Sequence, residues 1–194
     1  MYSKRLGKRA NMTHDVCLPC YNNEKFIGGV TMSRYEEGLK LIEERCGNGK
    51  DNIISLSTIA MEPSADGKPR PYIRDVDAYY EDGVFYITTW AKATKMQQIA
   101  QNNEVAFTVC SEWFSGNGIG ENLGWVLDPK NAEIRTKLRE AFSQWYDFAN
   151  NEKDEGCIIL AVRITRATVI KDHGAERYHM DFVNKVETED GIIK

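Results

Sequence analysis

The chain has 194 residues, 42% hydrophobic and 28% charged, with a formal net charge of −4. That length supports one domain with a sizeable core rather than two. No apolar run approaches the roughly 18 residues of a membrane span, and the negative balance disfavours DNA or RNA as a partner. The basic cluster Lys4, Arg5, Lys8 and Arg9 lacks the apolar segment of a secretory signal, so the chain reads as soluble and cytoplasmic.

Residues 1–31 show no sustained period and carry turn formers at Asn22-Asn23 and Gly28-Gly29, so they read as a loosely ordered leader before a domain at 32–194. Gly28-Gly29 can be encoded by a purine-rich stretch shortly before Met32, which makes Met32 a candidate natural start. His14, Cys17 and Cys20 cluster in this leader, but the second spaced ligand pair that zinc usually takes is missing, and no metal site is expected. Cys46, Cys110 and Cys157 fall singly in periodic apolar segments, as buried free thiols do.

From Ser33 the local signals sharpen. Ser33 with Glu36 forms a capping box, and Tyr35, Leu39, Ile42 and Cys46 recur at helical spacing, with Gly47 placed to close the helix in the left-handed conformation. Residues 53–60 read as a strand, and Ala65-Asp66-Gly67-Lys68 as a turn. Two further strands, 70–80 and 84–90, flank the hairpin signal Glu81-Asp82-Gly83. A short helix at 94–101 precedes a strand at 104–113, and Ser115 to Gly120 reads as a loop that lacks the third glycine of a dinucleotide fingerprint. Asp128-Pro129 starts a helix expected to run to about Asn150, and 157–170 with 176–182 form a last strand pair around Asp172-His173-Gly174.

Three features carry chemistry. Alternation in strand 70–80 puts Arg74 with Tyr72, Val76, Ala78 and Tyr80 on the more apolar face. A guanidinium there needs a partner, either a distant carboxylate or a bound phosphate. Thr94 and Gln97 form a second capping box that sets Lys95 in the first helical turn, where free amides, the helix dipole and an ammonium suit a phosphate. Thr94 can serve either the cap or the anion. Thr88 and Thr89 offer hydroxyls at the end of the preceding strand, although β-propensity alone explains threonine there.

Arg74-Asp75-Val76, Phe85-Tyr86-Ile87-Thr88-Thr89, Ala93-Thr94-Lys95 and Gln101-Asn102-Asn103-Glu104-Val105-Ala106 together resemble the pyridoxamine 5'-phosphate oxidase family, over about residues 53–107. The resemblance implies a mostly β, α+β architecture with flanking helices, an FMN-binding split β-barrel that pairs as a homodimer with the flavin at its interface. It implies that Arg74 and the backbone near Val76 contact the flavin or its ribityl phosphate, that Thr88 and Thr89 line the ring or tail, and that Thr94 and Lys95 hold the phosphate. Trp113 would cover the flavin from the partner chain. The family's Arg-Gln-Val-Arg segment is replaced here by Phe114 to Gly124, and around Arg177-Tyr178-His179 the flanking tryptophan and Arg-Leu pattern are absent. The implied activity is therefore an FMN-dependent oxidoreductase acting on a small molecule other than the vitamin phosphate. Similar split barrels bind haem or a deazaflavin, or store or sense a flavin, and these stand as alternatives. The histidines, His14, His173 and His179, are scattered, and no nucleophilic or hydrolytic constellation is present.

Overall fold

The computed structural model describes the backbone at residues 26–27 and 30–188, with side chains from residue 32. His14, Cys17, Cys20 and most of the expected leader lie outside the described residues. At the edge of that segment β1 (Phe26–Ile27) and β2 (Val30–Thr31) pair as a small antiparallel hairpin. From Ser33 onward the described residues form a separate unit.

That unit opens with α1 (Arg34–Cys46), capped as the Ser33–Glu36 pair requires: the Ser33 hydroxyl accepts from the Glu36 N–H and the Glu36 carboxylate accepts from the Ser33 N–H. Gly47 stays extended, however, and the left-handed reversal falls one residue later, at Asn48 and Gly49. The strands β3 (Asn52–Ile59), β4 (Pro71–Glu81) and β5 (Val84–Trp90) follow, then α2 (Thr94–Gln101) and β6 (Glu104–Val109). Asp82 and Gly83 both take positive φ in the β4–β5 turn, which matches the twist of the flanking strands.

The glycine-rich segment expected as a loop at 115–120 is instead the first half of a long strand, β7 (Phe114–Trp125). Its glycines permit close approach rather than flexibility. A Cβ at Gly116 would lie 2.3 Å from the Arg166 carbonyl oxygen, and one at Gly118 2.5 Å from that of Arg163. Two register shifts in the β7 ladder, at Asn117/Gly118 and Asn122/Gly124, bend the strand around the sheet.

The long helix expected from Asp128 to Asn150 is broken. Asp128 caps a 3-10 turn at Pro129–Asn131, and α3 (Ala132–Ala141) and α4 (Tyr146–Ala149) are separated by a bend where Phe142 and Trp145 stack at 4.8 Å. β8 (Cys157–Lys171), β9 (Glu176–Asp181) and the short β10 (Val186–Glu187) are the last strands among the described residues. Pairing closes a six-stranded antiparallel ring, β8-β5-β4-β3-β6-β7 and back to β8, with β9 and β10 carried outward along the second half of β8. Among the described residues no helix is long and apolar enough to cross a membrane.

Alternation decides which side chains fill the ring. Ile54, Leu56, Phe85, Ile87, Phe107, Phe114, Leu160 and Val162 point inward, and Phe107 sits 5.2 Å from Phe85 and 5.3 Å from Phe114. A second cluster, including Tyr79, Leu138, Phe142, Tyr146 and Ile159, seals α3 and α4 against the outside of β5 and β8. Cys46 and Cys157 are buried thiols, as expected, but Cys110 is exposed because it falls on the outward parity at the end of β6.

The ring has one weak seam. β4 and β5 pair only at Tyr79–Tyr86, Tyr80–Phe85 and Glu81–Val84, after which β4 follows β3 and β5 follows β8. The edges at 71–78 and 87–90 therefore diverge. Closure depends instead on the glycine contacts of β7, so Gly118→Ala is expected to cost about 1–3 kcal/mol in a urea melt. An unchanged midpoint would show that the β7–β8 approach tolerates a side chain.

Candidate functional site

The diverging edges bring most of the expected site residues to one place. Arg74 pairs with Leu56 across β4 and β3 and shares its inward face, at the end of the barrel covered by α2. Asp75 points the other way and accepts from the Ser55 hydroxyl at 2.5 Å. On the inward face Arg74 finds no carboxylate. One Nη1 N–H reaches the Leu56 carbonyl (3.2 Å) and the other the Thr58 hydroxyl (2.7 Å), while Nη2 donates to the Gln98 side-chain oxygen (2.7 Å). Its carbon lies 4.9 Å from the Tyr72 ring centre.

These partners hold the guanidinium without neutralising it. Thr58 and Gln98 are themselves buried and bonded to each other at 2.5 Å, so Arg74 rests on a rigid polar shelf between β3 and α2. Of five donors, Nε–H and one Nη2–H remain without a protein acceptor among the described residues. Burial pushes the Arg74 pKa below its ordinary value, opposed by Tyr72. The carboxylate partner weighed from the sequence is absent among the described residues.

Lys95 is the second cation. It is half-buried in the first turn of α2, and no described carboxylate lies within ion-pair range of it. Burial first, and then the charge of Arg74, lower its pKa below the ordinary lysine value. Two like charges thus share a partly desolvated corner.

The helix start differs from the expected capping box. Ala93 is the N-cap, Thr94 is the first helical residue, and no side chain caps the turn, because Gln97 donates to the Lys92 carbonyl instead. Met96 and Gln97 N–H groups return to the Ala93 carbonyl, which leaves those of Thr94 and Lys95 without a protein acceptor among the described residues. An uncapped N-terminus beside two cations is a strongly electropositive corner.

On β5, Thr89 keeps the inward parity of Phe85 and Ile87, whereas Thr88 faces outward toward α4. The Thr88 hydroxyl oxygen is buried without a hydrogen-bond partner of ordinary geometry. Its polar neighbour, the Tyr146 hydroxyl, is engaged by Glu152 at 3.1 Å, and Glu152 is itself held by Arg135 and Arg139. Val76 is half-buried against the core two residues beyond Arg74 on the same face. Trp113 is not brought in: it sits in the β6–β7 turn, 55% exposed, edge-on to His173 at 6.0 Å. Thr58 and Gln98 were missed from sequence, since only the fold carries them to Arg74.

No family model matches the chain, and no curated protein matches it. Solved structures do. A heme binding protein from Mycobacterium smegmatis aligns at 12% identity over 80% of this chain and 61% of its own, with a TM-score of 0.56. General Stress Protein 26 from Bacillus anthracis aligns at 14% over 73% and 97%, with a TM-score of 0.51. A putative pyridoxamine 5'-phosphate oxidase from Listeria innocua aligns at 11% over 70% and 96%, at 0.48. The chain folds as a split barrel. The open β4–β5 seam is the split, and the likeness to the heme binding protein and to General Stress Protein 26 is one of fold.

Two unmatched charges in this split barrel cost stability while no anion is bound. Lys95→Met is therefore expected to leave the ligand-free protein as stable as the parent or more so, by up to about 1 kcal/mol in a urea melt. A clear loss would mean that Lys95 serves the fold.

Proposed function

We propose that this split barrel binds FMN by its phosphate at Arg74 and Lys95 and acts as an FMN-dependent oxidoreductase on a small molecule. The observation that carries the reading is the pair of neighbouring cations, half-buried and without a carboxylate among the described residues, at an uncapped helix start. A phosphate dianion matches the charge and takes the donors left over on Arg74, on Thr94 and on the first amides of α2. Thr89 and the β4 edge near Val76 offer the tail and ring polar contacts along the seam, whereas the Thr88 hydroxyl is buried on the outward face against α4.

Bound there, a flavin supplies reversible exchange of electrons or hydride. The chain's part is to bind the tail, orient the ring and exclude water. Working as a homodimer fits the outward faces of β3 and β4, where Ile53 and Ile73 are 51% and 65% exposed on neighbouring strands. A second copy covering that face would bring the exposed Trp113 toward its partner's flavin.

The purified protein is expected to show the two-banded absorption of an oxidised flavin, bleached by NADH or NADPH if it is an enzyme. A Soret band would instead favour haem. Arg74→Ala and Lys95→Ala are each expected to weaken FMN binding by about 1.5–3 kcal/mol, and unchanged affinity in both removes the proposal. Sedimentation tests the dimer.

A further inference from the structure

Trp90 ends β5 with 43% of its surface exposed and belongs to neither core cluster. Its position is nevertheless fixed. The six-membered ring occupies the space over Gly156, where a Cβ would lie 2.3 Å from Cζ3 and 2.4 Å from Cη2. Gly156 is tied down in turn: its N–H donates to the Asp154 carboxylate and its carbonyl accepts from the Ala91 N–H, both at 2.8 Å. The Trp90 carbonyl accepts from the N–H of Ala93, the cap of α2, at 2.9 Å. The indole is thus anchored within one turn of Lys95.

Strand alternation gives Trp90 the outward parity of β5, at the end of the edge 87–90 that β4 leaves unpaired. An exposed indole held against a glycine at the open seam, where β5 runs into the turn that carries Lys95, has the features of a prepared contact surface. We infer that Trp90 is the stacking wall for the planar ring of the ligand whose phosphate Arg74 and Lys95 hold, and that Gly156 is the positioning residue that sets its angle. The inference rests on the FMN reading and names the residue that would recognise the ring as opposed to the tail.

Titrating the full chain with FMN and with riboflavin, which lacks the phosphate, separates the two. Trp90→Leu is expected to weaken both ligands by the same factor, about five- to tenfold, while Arg74→Ala weakens FMN alone. Trp90→Phe should keep most of the affinity but brighten the emission of saturating flavin, because an indole is the better quencher. Gly156→Ala, by displacing the ring, should weaken binding and brighten emission together. FMN binding that depends on Arg74 yet is unchanged in Trp90→Leu overturns the stacking wall alone. Should the leucine variant fail to fold, unchanged emission in Trp90→Phe overturns it. Binding that ignores Arg74 but weakens in Trp90→Leu overturns the phosphate reading and supports the wall, and a parent protein that binds neither ligand overturns both.

Discussion

The interaction on which the site depends is a repulsion. Arg74 and Lys95 lie close enough for the guanidinium to depress the ammonium's pKa, and no carboxylate among the described residues relieves them. A folded chain ordinarily pairs or solvates such charges. Here the surrounding structure holds them in place: Thr58 and Gln98 fix the guanidinium with neutral oxygens, and the barrel edge fixes the helix that carries the lysine. Neutral partners are essential to this arrangement, since they orient the cation while leaving its charge available to an incoming anion.

The fold supplies that corner through its topology. Because β4 leaves β5 after three residue pairs, a ring that is closed elsewhere opens at one seam, and the chain from β5 into α2 crosses its mouth. The tight β7–β8 approach compensates on the far side, where Gly116 and Gly118 let two backbones meet. The open seam and the tightest backbone approach therefore fall on different strand pairs of one barrel.

Much of this was legible in the residues. The alternation of 70–80 placed Arg74 on the inner face, Asp82-Gly83 set the hairpin, and Ser33 with Glu36 set α1. Local signals failed where tertiary contact outranked them. Glycines at 116, 118 and 120 read as loop, and only the β8 carbonyls facing 116 and 118, with Ile99 of α2 packed over 120, explain why they form a strand. Thr94 and Gln97 had the spacing of a capping box, but Gln97 found the Lys92 carbonyl and left the helix start open. The partners of Arg74 come from β3 and α2, at separations of 16 to 24 residues that no periodicity reveals.

The most direct test is the titration of Lys95 itself, followed by NMR in protein labelled at the lysine side chains, with and without FMN. In the free protein its ammonium should lose its proton below the ordinary lysine pKa of about 10.4, because burial and Arg74 both disfavour the charge. Bound phosphate should reverse the sign of that shift, so that FMN raises the value and its affinity falls as pH climbs through the free-state pKa. An ordinary value in the free protein, unmoved by FMN, would contradict an unneutralised cation pair at the seam.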